Sequence, residues 1–173
     1  LKNKLFSRIK RKLNDKNENE KNEKGVIKSP MTGNVVKIED VPDETFAQKF
    51  LGDGVAIKPT SNIVTSPVNG VIQQIFPTKH AIGIVTDDGI EILIHIGLDT
   101  VKLNGEGFKS FIKQNDRVRI GDKLLEIDLD IIDSKAKSLI SPIVITNIGD
   151  FKGVNKLSLD KVSNEDDLLK IEF

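Results

Sequence analysis

From Val26 onward the chain is a series of short runs of Val, Ile, Leu and Thr, broken every few residues by Gly, Pro, Asn or Asp. That rhythm predicts an all-β chain. The expected strands are Val35–Ile38, Gly54–Pro59, Ile63–Thr65, Gly70–Phe76, Ile82–Thr86, Ile90–Ile96, Arg117–Ile120, Leu124–Asp128, Ile143–Thr146 and Leu168–Phe173. Only Glu44–Lys49, Gly107–Lys113 and Asp130–Lys137 carry a pattern that holds a helical turn or two. Ser-Pro occurs at Ser29-Pro30, Ser66-Pro67 and Ser141-Pro142, each ahead of an apolar run. In the first two the run restarts at Gly33 and Gly70, so SPMTGNVVKI and SPVNGVIQQI read as copies of one unit. The expected fold is a closed antiparallel β-sandwich or barrel with a duplicated hybrid motif and only short helical turns.

One hairpin stands out. Asp87-Asp88-Gly89 supplies turn residues between two β-branched runs, and a loop centred near Asp88 makes facing residue numbers sum to about 175 or 176. Both histidines of the chain, His80 and His95, sum to 175. They are predicted to be neighbours, within one register step, at the open end of the hairpin. Three chemistries fit such a pair. Each histidine can be a hydrogen-bonded core residue. Together they can ligate a metal, although structural zinc wants four protein ligands and catalytic zinc three. Or one can take up a covalent group while the other steadies it by a hydrogen bond.

Composition narrows the class. With 173 residues and no formal net charge there is room for one sizeable domain. Absence of cysteine removes disulfides and thiolate metal sites, and nothing approaches eighteen consecutive apolar residues, so a soluble protein of a reducing cytoplasm is expected. The neutral total conceals a basic head. The first 13 residues hold six basic side chains and no acidic one, with Leu1, Leu5, Phe6, Ile9 and Leu13 on one helical arc. Residues 1–13 therefore read as an amphipathic segment with weak affinity for anionic membrane, residues 14–25 as a flexible linker and residues 26–173 as the folded domain. The alternative for the head is a solvated, frayed tail.

Three stretches carry a resemblance to a known family: Ser29 to Pro59 (SPMTGNVVKIEDVPDETFAQKFLGDGVAIKP), Ser66 to Phe108 (SPVNGVIQQIFPTKHAIGIVTDDGIEILIHIGLDTVKLNGEGF) and Val118 to Asp130 (VRIGDKLLEIDLD). In that order they resemble the glucose-class enzyme IIA of the bacterial phosphoenolpyruvate-dependent sugar phosphotransferase system. The resemblance implies a phosphoryl carrier. His95 would accept the phosphoryl group on Nε2, with its Nδ1 proton held by the Gly97 carbonyl; His80 would steady the phosphoryl oxygens, and Thr78 would orient His80. The donor would be the histidine phosphocarrier protein and the acceptor the IIB domain of a sugar permease. Asp43 and Asp99 would flank the pocket, and Phe46, Phe50, Leu51, Phe76 and Leu93 would form the apolar rim on which partners dock. Regulatory targets are further partners in this family, but Glu44-Thr45 replaces an apolar pair of better-known members, which counts against one that uses that patch. No nucleic-acid partner and no obligatory cofactor are expected. Zn²⁺ bound by His80 and His95 and completed by a partner protein is the one metal site the family implies.

Two other classes share features with this sequence. A lipoyl or biotinyl carrier needs its modified lysine at a hairpin tip, whereas Lys123 leads into a strand. A zinc peptidase or other zinc-binding module needs more ligands than two histidines supply.

Overall fold

The computed structural model describes residues 23–173, so the basic head and most of the expected linker lie outside the described residues. Fourteen strands follow: β1 (Val26–Lys28), β2 (Gly33–Lys37), β3 (Asp53–Pro59), β4 (Ile63–Thr65), β5 (Gly70–Ile75), β6 (Ala81–Thr86), β7 (Glu91–His95), β8 (Phe108–Ser110), β9 (Arg117–Val118), β10 (Lys123–Ile127), β11 (Ser141–Ile145), β12 (Gly153–Lys156), β13 (Lys161–Val162) and β14 (Asp167–Glu172). Two short α-helices interrupt them, α1 (Glu44–Ala47) and α2 (Leu129–Lys135). An eight-stranded antiparallel sheet has the order β13-β2-β3-β11-β7-β6-β5-β9, and two three-stranded sheets, β4-β10-β8 and β1-β14-β12, complete a sandwich. Between the sheets lies an aliphatic core rich in Ile and Leu, among them Ile57, Ile84, Ile94, Leu125 and Ile143.

The sandwich agrees with the sequence; its closure does not. β13 and β9 form the two ends of the large sheet, each two residues long. Beyond each, the chain passes through a left-handed residue, Glu165 (φ 73°) or Gly121 (φ 87°), and departs into β14 or β10 of another sheet. A second difference is Gly107–Lys113, expected as a helical turn. Phe108 pairs with Ile127, Lys109 with Glu126 and Ser110 with Leu125, so β8 is a strand. Burying Phe108 against the core outweighs the local helical pattern.

The internal duplication is also longer than the Ser-Pro units. Ser29 Oγ donates to the Met31 carbonyl and Ser66 Oγ to the Val68 carbonyl, each at 2.7 Å, closing equivalent turns ahead of β2 and β5. Each of those strands then receives a two-residue partner in matching register, Val162 on Gly33 and Val118 on Gly70. The partners end in matching turns, with Asp166 accepting from Ser163 N–H at 2.7 Å and Asp122 from Arg119 N–H at 2.8 Å. Val118–Ile127 and Val162–Ile171 are thus copies sharing Val-x-x-x-Asp-x-Leu-Leu-x-Ile. The order of the large sheet is symmetric about its central β11-β7 pair.

On the outer face of that sheet a smaller cluster buries Ile38, Val41, Phe46, Ala56, Leu98 and Val144, with Leu93 packed at its margin. The residues between β2 and β3 lie over this face, and α1 belongs to them. Asp43 caps α1, its carboxylate accepting from Thr45 N–H at 2.9 Å. Burying Phe46 anchors the single turn of helix and is worth roughly 1.5–3 kcal/mol.

Candidate active site

The hairpin register fixes where the imidazoles sit. β6 and β7 pair Ala81 with His95 and Ile82 with Ile94, a sum of 176, so His95 points to the outer face along with Leu93 while Ile92 and Ile94 enter the core. His80 lies one step outside the pairing, and its carbonyl accepts from Ile96 N–H at 2.7 Å. Regular pleating would send the two rings to opposite faces. They meet all the same, at the strand end where the chain leaves the ladder and Lys79, just ahead of His80, is left-handed (φ 61°). The ring centroids are 5.1 Å apart at an interplanar angle of 79°.

Each ring is held at its Nδ1. His95 Nδ1 lies 2.8 Å from the Gly97 carbonyl oxygen, which can only accept, so Nδ1 carries the proton and the Nε2 lone pair is bare in the neutral ring. Gly97 itself has φ 66°, and a Cβ there would come within 2.7 Å of Thr100 Cγ2 and 2.8 Å of the Ser138 carbonyl oxygen, so no side chain fits. His80 Nδ1 lies 2.6 Å from Thr78 Oγ1. Burial pushes the proton affinity of His95 down, partly opposed by the Gly97 hydrogen bond and by the charge of Asp43. Burial, and then repulsion from His95, pushes His80 down to about 4. At neutral pH both rings are therefore uncharged.

The remaining site candidates divide. Phe46 packs edge-on against His95 with centroids 5.2 Å apart and is only 5% exposed, so it is a wall of the site and not part of an open rim. Leu93 is half-buried beside it. Phe76 lies 5.5 Å from the His80 ring and is partly open, Leu51 is exposed, and Phe50 is 72% exposed. Asp43 caps α1 and acts on His95 through its charge. Asp99 is exposed in a left-handed conformation, 3.7 Å from Lys102 Nζ. The left-handed Lys79 beside His80 carried no signal in the sequence, since lysine is not a turn-former. Thr100 and Ser141, buried behind Gly97, were visible only as a hydroxyl near the pair and as a Ser-Pro site.

The two alternative classes find little here. Lys123 begins β10, with Nζ 3.0 Å from a Glu126 carboxylate oxygen and 4.2 Å from the Phe111 ring centroid, not at a hairpin tip. Among the described residues no group of three or more His, Cys, Asp or Glu is placed to hold a metal. No helix among them is long and apolar enough to cross a membrane.

Comparison with known proteins bears on the family and the fold. Residues 25–151 match the family model of the phosphoenolpyruvate-dependent sugar phosphotransferase system, EIIA 1. A PTS system glucose-specific EIIA component of Buchnera aphidicola is 51% identical over 132 residues, 76% of this chain and 82% of the relative. One of Halalkalibacterium halodurans, with the same description, is 52% identical over 133 residues, 77% of each chain. Among solved structures, glucose permease IIA from Mycoplasma capricolum superposes with a TM-score of 0.81 at 43% identity, covering 86% of this chain and 96% of that one. The chain belongs to the EIIA 1 family of the phosphoenolpyruvate-dependent sugar phosphotransferase system.

Proposed function

We propose that this protein carries a phosphoryl group between a histidine phosphocarrier protein and the IIB domain of a glucose-class sugar permease, with His95 as the carrier residue. The observation that supports this most directly is the 2.8 Å contact from His95 Nδ1 to the Gly97 carbonyl, which leaves Nε2 as the nucleophile. In the forward step the Nε2 lone pair forms a bond to phosphorus as the phosphorus–nitrogen bond of the donor breaks, and the donor imidazole recovers the electron pair. No net proton moves. Because one phosphoimidazole replaces another, positioning and electrostatics carry the catalysis.

His80 is suited to a supporting role. With the Thr78 hydroxyl donating to Nδ1, its Nε2–H is free to donate to a phosphoryl oxygen, and the arriving negative charge raises the proton affinity that burial had lowered. Phe50, Leu51 and Phe76 provide apolar contact for partners, and Asp43 and Asp99 provide carboxylates for a donor arginine.

Transfer of labelled phosphate from the histidine phosphocarrier protein, followed by mapping of the label, tests the proposal. His95→Gln should accept none. His80→Gln should accept phosphate but pass it slowly to IIB. The adduct should be acid-labile and base-stable; an acid-stable label on Ser or Thr would sink the assignment.

Two secondary proposals concern what surrounds this relay. With Nδ1 of His95 held by Gly97, and with the Thr78 hydroxyl turning to accept from Nδ1 of His80 in its other neutral tautomer, both Nε2 atoms become lone-pair donors for Zn²⁺, half a tetrahedral shell that a partner must complete. Weak zinc affinity, lost in His80→Ala, His95→Ala, is expected by calorimetry; unchanged affinity puts the metal elsewhere. Residues 1–13, outside the described residues, are proposed to hold the protein loosely at anionic membrane near its permease. Cosedimentation with anionic and neutral vesicles checks this, and equal binding to both rejects it.

A further inference from the structure

We infer that Thr100 and Ser141 are positioning residues that fix the tautomer and aim of His95; the inference rests on the reading of His95 as the phosphoryl acceptor. Six polar side chains are buried in the described residues: Ser29, Thr65, Ser66, His80, Thr100 and Ser141. Ser29 and Ser66 close their own turns, Thr65 accepts from the Asn164 side chain, and His80 belongs to the site. Thr100 and Ser141 instead hold the two ends of one peptide unit, the one joining Ile96 to Gly97. Thr100 Oγ1 donates to the Ile96 carbonyl at 2.6 Å, and Gly97 N–H donates to Ser141 Oγ at 3.0 Å. Ser141 places its own proton on the Leu139 carbonyl at 2.8 Å, so its oxygen faces Gly97 as an acceptor.

The next peptide unit is also held at both ends. Leu98 N–H donates to the Ser138 carbonyl at 2.9 Å, while the Gly97 carbonyl takes the His95 proton. Hydrogen bonds linked through a peptide in this way polarise one another. The consequence follows from the residue between them. Glycine has the widest backbone freedom of any residue, so the direction of the Gly97 carbonyl is not set by Gly97. It is set by what grips the flanking peptides, and on one side the grip consists of two buried hydroxyls. If the carbonyl swings away, Nδ1 loses its acceptor, the proton redistributes to Nε2, and the nucleophilic lone pair is blocked. Neither hydroxyl touches the reacting atoms; both act through the Gly97 backbone.

The test uses the full chain with ¹⁵N-labelled histidine, whose long-range ¹H–¹⁵N spectrum reads the tautomer of His95 without any phosphate donor. Wild type should show the Nδ1–H form. Thr100→Val with Ser141→Ala should populate the Nε2–H form, and kcat for acceptance from the histidine phosphocarrier protein should fall roughly tenfold with KM unchanged. Thr100→Ser, which keeps the hydroxyl, should stay near wild type in both readouts. If the double variant does not fold, Thr100→Val alone is read the same way. A variant that loses melting temperature yet keeps the Nδ1–H tautomer and wild-type kcat overturns the inference and leaves these residues purely structural. If wild type accepts no phosphate, the carrier reading fails, while the spectrum still decides the positioning role.

Discussion

The two copies of the duplicated unit make nearly identical strands but end in very different connections. In the second copy β5 runs into β6 through the short turn 76–80, which lies at the His95 end of β7. In the first copy β2 runs into β3 through residues 38–52, and pairing of Asp53 with Ile145, and of Ile145 with Ile92, puts that connection at the opposite end of the sheet. To reach His95 it must return along the outer face by about three residues of strand, roughly 10 Å. Its length is what lets it do so. The short turn delivers Thr78, His80 and Phe76; the long one delivers Asp43 and Phe46. Duplication supplied a symmetric frame, and the site arises where the symmetry is broken.

Substitutions in the long connection probe the first arm of this comparison and carry the largest expected effect on stability. Phe46→Ala should cost about 3–5 kcal/mol, because it empties the cluster beneath α1. Phe50→Ala, with the side chain 72% exposed, should stay within about 0.5 kcal/mol while weakening partner binding. Urea unfolding and a binding titration measure the two. Similar destabilisation by both would mean that the long connection is not anchored through Phe46.

The short turn is probed by pH. The folded state holds His80 near 4, against about 6.5 for a free imidazole, so below 6.5 the unfolded chain binds more protons than the folded one. Stability should be full above 6.5 and fall by on the order of 3 kcal/mol as pH drops toward 4. His95, also shifted down, works in the same direction. His80→Gln should therefore flatten most of the slope and leave a remainder; an unchanged slope between pH 7 and 4.5 would show that His80 is not the group responsible.

Much of this plan was legible in the sequence, and what was not has definite causes. The constant-sum rule brought His80 and His95 together because a hairpin loop of turn residues fixes register to within one step. It could not choose between sums of 175 and 176, nor foresee the left-handed Lys79 at the strand end where the rings meet. The Ser-Pro units betrayed the duplication through Gly33 and Gly70. The matching Val118–Ile127 and Val162–Ile171 segments were harder to pair, because one has Gly121 where the other has Glu165, and a glutamate does not announce a positive φ. Phe46 and Phe50 are four residues apart in a segment that reads as helical, but the helix ends at Ala47, and only tertiary packing decides that the first is buried and the second exposed.

A modest effect is expected at the matching positions Gly121 and Glu165. Glu165 pays the steric cost of a left-handed residue that Gly121 avoids, so Glu165→Gly should stabilise the fold by about 0.5–1 kcal/mol after the entropy of glycine is subtracted. Thermal melting would detect it. No gain would mean that the Glu165 side chain offsets its own backbone strain.

The origin of the two imidazoles in different kinds of backbone has an evolutionary reading. His95 is held by strand pairing, so a one-residue slip in its register inverts every side chain of β7 and is lethal to the fold. His80 is held by a turn, where an insertion or deletion can leave the sheet standing while it moves the ring. Selection on residues 76–80 therefore acts through the pairing of the two rings and not through the fold, whereas at His95 the two cannot be separated.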